Sequence, residues 1–514
     1  MSTLCVYILV CVLSVSDAYN VLLFFPFPGK SHAILGDGYV RNLLDAGHNV
    51  TYIASAPSTI NSYRLRQIDS SACVTLFPKD MFNIDQKVNK ESRSISLTTL
   101  MHSIYNYTLH IDTVQLLMRD PNEKFDAVIV EWMNLIIYAI FFRLATVFDC
   151  PLIWSSSLIP HTMALSLIDD NLNPAYTFHT HTKSRSFTLS NRIDQLSIKA
   201  NFTCRSITND AEAIFRSIFE PIVTKKGKEL PSYNEVRYNA SFMLGNGNLI
   251  TSDPIALPSN YKDIGGYHIN EKADHLPQNF KTVMDNATEG VIYFSLGSLL
   301  PVRTMSEEMK AKFLNIFSNL NQTVIWKSDV AIHNVSKNVH VVNWAPQQRI
   351  LGHPNCRLFI THAGLLSITE AVYFGVPVIG MPFFADQFNN INKAEWTGFG
   401  KNFDLSKNSL DDLEDVIDEM LNKPRYRQRA KEVSAIYHHR LTTPGQELAH
   451  WVEHVIQTRG ALHLRSYAMK VEWYQKLYLD LLAILLMATV VVLIIVKYAT
   501  SQPFVCNCKE KNKL

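Results

Sequence analysis

Short apolar runs alternate with segments of helical periodicity in the first half of the chain. Tyr19–Phe25, Val50–Ala54, Ala127–Val130 and Leu152–Trp154 contain few polar side chains, and apolar residues recur at helical spacing across His32–Ala46. Strands that lack a polar face are buried on both sides, which is typical of parallel sheets covered by helices. The pattern therefore predicts a doubly wound α/β domain.

A second alternation of the same kind follows a polar stretch around Gly265–Asp285 that has no clear period. Five further strands, with helical patterns between them, are predicted at Val291–Phe294, Thr323–Trp326, His340–Val342, Leu358–Ile360 and Val376–Ile379. The chain is therefore expected to form two Rossmann-like α/β domains that face each other across a cleft.

Two further apolar segments lie near the ends of the chain. Leu4–Val15 is followed by small residues at Ser16 and Ala18, as in a secretory signal. Leu477–Val496 is long enough to span about 30 Å as a helix, and the lysines that follow it indicate a cytosolic tail. The predicted parts are a signal peptide (1–18), an N-terminal domain (19–265), a linker (266–285), a C-terminal domain (286–455), a membrane-proximal segment (456–476), a transmembrane helix (477–496) and a cytosolic tail (497–514).

Composition and cysteine usage narrow the class of protein. Hydrophobic residues make up 47% and charged residues 18%, which excludes a disordered chain, and the net charge of +2 gives no field that would attract nucleic acid. Cys73, Cys150, Cys204 and Cys356 are too scattered for a disulfide framework, and no HExxH or CxxC spacing is present. We expect no metal and no other cofactor, and the sequence leaves a homo-oligomer open.

Seven Asn-X-Ser/Thr triplets before the predicted span fit a lumenal body in a type I protein of the endoplasmic reticulum membrane.

The most informative stretch, Phe359–Asn390, reads FITHAGLLSITEAVYFGVPVIGMPFFADQFNN. Its pattern predicts a strand, a turn of small residues, a helix, a second strand and a loop. The helix begins just after Gly364, where free backbone N–H groups and the helix dipole favour a phosphate. The side chains of His362 and Ser367 can donate hydrogen bonds to phosphate oxygens. This turn is therefore a predicted phosphate site.

Three polar residues of the same stretch can hold a sugar. Glu370 lies eight residues beyond His362, about two helical turns, and its carboxylate can accept hydrogen bonds from both hydroxyls of a ribose. Asp386 and Gln387 follow the next strand, where they can bind another polyol. Together with the phosphate site, they predict that the second domain binds a nucleotide sugar.

The whole set of motifs resembles the UDP-glycosyltransferase family, in particular its animal membrane-bound branch. Asn343-Trp344-Ala345-Pro346-Gln347 and Phe294-Ser295-Leu296-Gly297-Ser298 belong to the same pattern. The resemblance covers almost the whole chain and implies the two-domain fold called GT-B. It further implies that Trp344 stacks on uracil, that Gln347 contacts the base or ribose and Glu370 the ribose, that Ser298, His362 and Ser367 contact the diphosphate, and that Asp386 and Gln387 bind the donor sugar. Two positions depart from the family, which usually has Gly at Ala363 and often has Asn at Leu366.

A candidate general base lies in the first domain. His32 follows Pro28-Gly29-Lys30-Ser31 at the carboxyl edge of the first predicted strand, where α/β domains place ligand sites. The resemblance implies that His32 is the base and that Glu131, where the family usually has Asp, supports it. Asp126 is the rival carboxylate, but it precedes its strand and so lies at the wrong end of the sheet.

The resemblance, together with these residues, implies an inverting, metal-independent transfer of a hexose from a UDP-sugar to a hydroxyl of a small lipophilic acceptor, as in detoxification or in hormone or pigment conjugation. Leu365-Leu366-Ser367 resembles invertebrate members, which mostly use UDP-glucose, so we favour glucose over the alternative, glucuronate. The acceptor pocket is expected in the first domain, including 160–260.

A non-catalytic lipophile carrier is disfavoured because His32 and Glu370 are both present. A nucleotide-sugar epimerase or dehydrogenase is disfavoured because the turn after the first strand lacks GxGxxG.

Overall fold

Two parallel β-sheets form the body of the chain. The structure is a computed structural model that describes residues 18–77, 90–132, 142–169, 188–194, 196–197, 209–225, 227, 229–231, 239–272, 275–476 and 478–501. Nearly all of the predicted signal peptide (1–17), much of 160–260 and most of the predicted tail (502–514) lie outside these residues.

The first sheet contains seven strands in the order β3-β2-β1-β4-β5-β6-β7, all of them parallel. The chain order reverses between β1 and β4, and in such sheets ligands bind beyond the carboxyl ends of the strands at this point. The strands are β1 (Asn20–Phe25), β2 (Asn49–Ala54), β3 (Leu65–Asp69), β4 (Ala127–Trp132), β5 (Leu152–Ser156), β6 (Phe242–Gly245) and β7 (Tyr261–Asp263).

The second sheet contains six parallel strands in the order β10-β9-β8-β11-β12-β13. Its order reverses between β8 and β11, so it has the same topological switch point as the first sheet. The strands are β8 (Val291–Ser295), β9 (Thr323–Lys327), β10 (Val339–Val342), β11 (Cys356–Thr361), β12 (Val378–Gly380) and β13 (Gly400–Asn402).

Helices cover both faces of each sheet. The helices of the described residues are α1 (Lys30–Asp45), α2 (Lys90–Leu109), α3 (Asp112–Arg119), α4 (Phe142–Phe148), α5 (Thr162–Leu165), α6 (Asn209–Lys225), α7 (Gln278–Asp285), α8 (Glu307–Ser318), α9 (Gln347–Leu351), α10 (Leu365–Phe374), α11 (Gln387–Thr397), α12 (Leu413–Asn422), α13 (Pro424–His438) and α14 (Pro444–Gln457), followed by α15 (Trp473–Lys476) and α16 (Leu479–Ser501), which lie outside the two sheets.

The side chains of β1 show why each sheet has two apolar faces. Leu22 and Phe24 pack into the core on one face, while Val21, Leu23 and Phe25 pack into the core on the other. Successive side chains of a strand point to opposite faces, so a run without polar residues supplies both cores at once. The two predicted doubly wound domains are therefore confirmed.

The last helix of the body, α14, does not pack where the sequence division placed it. Its apolar residues Leu448, Val452 and Val455 are buried in the core of the first sheet. The division at residue 455 counted this helix with the C-terminal domain, because an amphipathic pattern shows which side of a helix is buried but not which sheet covers it. The chain therefore crosses back to the first domain before its end.

The predicted linker also contains regular structure. Residues Gln278–Asp285 form α7, and its Met284 is buried in a core of the second domain. The sequence did not predict this helix, because it is mostly polar and buries little of its own surface.

The C-terminal helix α16 is long and apolar enough to cross a membrane. It runs over 23 residues and contains an 18-residue window with a mean hydropathy of 3.0, and its side chains are exposed along its length. A helix of this length spans about 34 Å. It begins two residues after the predicted start at Leu477 and continues five residues past the predicted end at Val496, because Lys497 to Ser501 extend the same helix.

Candidate active site

His32 and Glu131 meet at the switch point of the first sheet. His32 lies in the first turn of α1, and Glu131 follows Val130 of β4, which pairs with Phe24 of β1. The Nδ1 atom of His32 is hydrogen-bonded to Oε1 of Glu131, whose side chain is fully buried. A carboxylate can only accept, so Nδ1 carries the proton and Nε2 keeps its lone pair. The imidazole is thus held in the tautomer that a base requires.

Glu131 is fixed by a second donor, and its rival lies elsewhere. The Ser157 hydroxyl donates to Oε1 of Glu131 at 3.0 Å. Asp126, in contrast, accepts the backbone N–H of Asn20 at 2.7 Å, at the amino end of the sheet. Of the two carboxylates weighed from the sequence, only Glu131 contacts His32.

The predicted phosphate turn joins β11 to α10. Ala363 has a φ of +63°, in the left-handed region, and its methyl group is fully buried. This backbone conformation costs a side-chain-bearing residue roughly 1–2 kcal/mol, which is the physical reason to expect glycine there. The departure at Ala363 is therefore accommodated with strain that glycine would avoid.

The ring of His362 lies between two glycines. A Cβ atom on Gly297 would come within 2.6 Å of His362 Cε1, and one on Gly364 within 2.5 Å of Nε2. Gly297 also has a φ of +80°. Both positions therefore require glycine for the ring to keep its place, and Ser298 follows directly at the partly exposed rim.

The positive charge beside this turn belongs to Lys327 rather than to His362. Burial, together with the nearby Lys327, lowers the pKa of His362 to about 4, so the ring is neutral at neutral pH. Burial and the neighbouring Lys30 lower the pKa of Lys327 to about 8, which leaves it mostly protonated. Lys327 Nζ donates to the carbonyl of Gly297 at 2.6 Å. His362 can therefore offer a hydrogen bond, and Lys327 supplies the charge.

Glu370 lies in the second turn of α10 and is 4% exposed. Its Oε2 accepts from Gln347 Nε2 at 2.6 Å, and its Oε1 accepts from Gln348 Nε2 at 2.9 Å. Gln347 Nε2 also lies 3.2 Å from the Ser367 hydroxyl. Three of the residues predicted to bind the nucleotide, Gln347, Ser367 and Glu370, thus form one hydrogen-bonded group.

Trp344 presents a half-exposed ring at the cleft, with 52% of its surface accessible. Lys30 Nζ lies 4.3 Å and Lys327 Nζ 5.0 Å from the ring centroid, within the range of cation–π contacts. Lys30 opens α1 of the first domain, so this contact joins the two domains.

Asp386 immediately precedes α11 and Gln387 begins it, on the same side of the second sheet. Burial raises the pKa of Asp386, while the Asn390 amide, which donates at 2.7 Å, and a backbone hydrogen bond act in the opposite direction. Gln387 Oε1 accepts the backbone N–H groups of Phe383 and Phe384 at 2.8 and 3.1 Å, so it also shapes the loop before the helix. Both side chains are therefore held in place by hydrogen bonds within this loop and the start of the helix.

Sequence reasoning missed four residues that the structure places in this site: Ser157, His268, Lys327 and Gln348. Lys327 could have been found, because it ends β9 at the carboxyl edge of a parallel strand. The other three have no local signal, since their contacts with Glu131 and Glu370 depend on how the chain folds.

Within the described part of the chain, no group of three His, Cys, Asp or Glu residues is arranged for a metal ion, and Cys73, Cys150 and Cys356 are free thiols.

Solved structures with this arrangement are glycosyltransferases of the GT-B fold. The glycosyltransferase VinC, in complex with DTDP, matches with a TM-score of 0.55 at 17% identity, covering 85% of this chain and 100% of that one. CalG4, the calicheamicin glycosyltransferase, matches with a TM-score of 0.55 at 14% identity, covering 86% and 99%. At such low identity these likenesses show the fold alone.

Relatives in sequence are closer. UDP-glycosyltransferase UGT5 of Dactylopius coccus is 32% identical over 497 residues, which cover 95% of this chain and 92% of that protein. UDP-glucuronosyltransferase 1A1 of Mus musculus is 28% identical over 95% of this chain and 92% of its own length. A family model described as UDP-glucoronosyl and UDP-glucosyl transferase matches residues 20–513. With its fold, its site and these likenesses in agreement, the chain belongs to the UDP-glucoronosyl and UDP-glucosyl transferase family.

Proposed function

We propose that this UDP-glycosyltransferase transfers a hexose, with inversion, to a hydroxyl of a small lipophilic acceptor, and that His32 is its general base. The observation that carries the proposal is the position of His32. It is held by the buried carboxylate of Glu131 in the first domain, and it lies two residues after Lys30, whose Nζ is 4.3 Å from the centroid of the Trp344 ring in the second domain. A base in one domain thus lies beside a proposed donor-binding residue of the other.

The proposed reaction follows from this arrangement. Nε2 of His32 takes the proton from the acceptor hydroxyl, and the oxygen forms a bond to the anomeric carbon from the face opposite the diphosphate. The bond between that carbon and the phosphate oxygen breaks, and UDP leaves with the electron pair. Glu131 stabilises the imidazolium, while Lys327 and the N-terminus of α10 stabilise the negative charge on the diphosphate. No cofactor is assigned to these steps.

Donor binding is assigned to the second domain. Glu370 would accept the ribose hydroxyls, Gln347 would contact the base or ribose, and the exposed ring of Trp344 would stack on uracil. Ser298, His362 and Ser367 would donate to the diphosphate, with Gly364 at the helix N-terminus, and Asp386 with Gln387 would bind the sugar. The buried hydrogen-bonded group of Gln347, Ser367 and Glu370 supports this assignment.

UDP-glucose is the favoured donor. A relative named UDP-glucosyltransferase 2, from Dactylopius coccus, is 30% identical over 95% of this chain and 93% of that protein. UDP-glucuronate is the second candidate, because UDP-glucuronosyltransferase 1A1 of the mouse also matches along the chain, and Lys30 with Lys327 provides positive charge at the cleft.

Turnover of a panel of phenols and steroids with each donor tests this choice. We expect kcat/KM with UDP-glucose to exceed that with UDP-glucuronate by at least about tenfold, a difference of 1.4 kcal/mol. Turnover with UDP-glucuronate alone would establish the second candidate instead. A protein that binds UDP and lipophiles but turns over neither donor would be a carrier.

The proposed location is the endoplasmic reticulum membrane, with the body in the lumen and α16 as a single span. The exposed apolar surface of α16 supports the membrane assignment, and Lys497 near its end supports a cytosolic tail. In sealed microsomes, added protease is expected to remove an epitope placed after residue 514 and to leave the body intact. Protection of that epitope, with digestion of the body, would reverse the orientation.

A further inference from the structure

The segment Tyr267–Asn270 is held by helix α1 of the first domain. The carbonyl of Tyr267 accepts from Arg41 Nη2 and Asn42 Nδ2, both at 3.0 Å, and the carbonyl of Ile269 accepts from Arg41 at 3.3 Å. A Cβ atom on Gly38 would lie 2.9 Å from the Tyr267 ring, so the segment packs directly against α1. The helix that positions His32 is therefore bound to this segment.

The other two residues of the segment, His268 and Asn270, contact the second domain. The backbone N–H of Asn270 donates to Gln348 Oε1 at 3.1 Å, and Gln348 Nε2 donates to Glu370 Oε1 at 2.9 Å. The carbonyl of Asn270 accepts from Arg349. His268 Nε2 lies 3.4 Å from the same Oε1 atom of Glu370. Residues 267 and 269 thus contact the first domain, and residues 268 and 270 contact the second.

The imidazole of His268 is buried without a hydrogen bond. The residue is 2% exposed, and neither of its ring nitrogens has a hydrogen-bond partner among the residues that the structure describes. The 3.4 Å approach to Glu370 is close but not aligned as a hydrogen bond. A buried polar group without a partner is costly, so it calls for a physical explanation.

We propose that His268 is a positioning residue that holds Glu370 toward the ribose of the donor. This inference rests on the proposed role of Glu370 in ribose binding. When the two ribose hydroxyls donate to Glu370, the amides of Gln347 and Gln348 share its oxygens with them. His268 Nε2 then moves from 3.4 Å to hydrogen-bond distance of Glu370 Oε1 and fixes the direction of the carboxylate. Since the segment is also bound to α1, donor binding is linked to the helix that positions His32.

A histidine that only filled space would be buried to the same extent. The test must therefore separate the effect of side-chain volume from the effect of hydrogen bonding. His268→Phe keeps the volume and removes both nitrogens, while His268→Asn keeps a donor. We expect His268→Phe to weaken binding of UDP about tenfold, equivalent to 1.4 kcal/mol, and to raise the KM for the donor sugar more than it lowers kcat. His268→Asn is expected to recover part of the loss. Calorimetric titration of the full-length protein in detergent with UDP measures the affinity.

The matched control is a second buried histidine that lies beside a glutamate. His48 is fully buried, and its Nε2 lies 3.1 Å from Glu453 Oε1, next to the amino end of β1 and away from the cleft. His48→Phe makes the same chemical change and is expected to leave the UDP affinity unchanged, whatever its effect on thermal stability.

A double-mutant cycle with Glu370→Gln decides between coupling and a general effect. Glu370→Gln alone is expected to weaken UDP binding at least about tenfold, because hydrogen bonds to a charged group are among the strongest. If His268 acts through Glu370, adding His268→Phe to this variant causes little further loss. Additive losses, or unchanged affinity in His268→Phe, would overturn the inference while leaving the role of Glu370 intact. Unchanged affinity in Glu370→Gln would instead overturn the proposed ribose site.

Discussion

Replacing His32 with alanine is expected to lower kcat by at least about 10² and to leave the affinity for UDP unchanged. The loss follows from the hydrogen bond that holds Nδ1 of His32 against the buried Glu131, because this bond leaves Nε2 as the nitrogen that can accept a proton. UDP is assigned to the second domain, so its binding does not depend on the base.

The measurement is steady-state turnover at saturating UDP-sugar, paired with calorimetric titration with UDP on the same preparation. The matched control is His454→Ala, in α14, whose Nε2 lies 3.2 Å from His463 Nε2 on the protein surface. The control is expected to keep normal turnover. If His32→Ala also turned over normally, His32 would have no part in the proton transfer.

The sheets were predictable because their strands are buried on both faces. In β1, one apolar run fills two cores, and runs of this kind marked β8 and β11 in the same way. The sequence division counted helix α14 with the second domain, but its Leu448 and Val452 pack on the first sheet. The apolar side of a helix can pack against any complementary surface, so only the folded chain shows which sheet it covers. Periodicity specifies an element and its buried face, but not the partner that covers it.

The placement of the proposed catalytic pair was predictable for a similar reason. His32 follows β1 and Glu131 lies near the carboxyl end of β4, which is the neighbour of β1, and parallel strands bring their carboxyl ends to one edge. The contact of His268 with Glu370 joins residues 102 positions apart through a segment with no regular structure. No pattern in the sequence marks such a contact.

The charge state of the phosphate turn could not be predicted from the sequence either. The sequence predicts that His362 donates a hydrogen bond to the phosphate oxygens, but it does not show whether the ring is charged. Burial lowers its pKa to about 4, so at neutral pH it carries no charge. Lys327, with a pKa of about 8, supplies that charge instead. Both shifts depend mainly on burial, which is a property of the packed structure.

Replacing Glu131 with glutamine is expected to lower kcat by at least about 10², although the side chain keeps its size. Glutamine cannot stabilise an imidazolium by charge. Its amide can also donate to Nδ1 of His32, which would move the proton to Nε2 and remove the base. The affinity for UDP is expected to stay unchanged, so turnover and titration together separate this effect from a loss of donor binding.

Two further variants identify the carboxylate that supports His32. Glu131→Asp, the usual residue of the family, is expected to keep at least partial activity, because it retains the charge at the carboxyl edge of β4. Asp126→Asn is expected to be harmless to kcat, because Asp126 accepts the backbone N–H of Asn20 at the opposite end of the sheet. If Asp126→Asn abolished turnover while Glu131→Gln did not, the carboxylate behind the base would be Asp126, and the first domain would have to present its active site at the other edge.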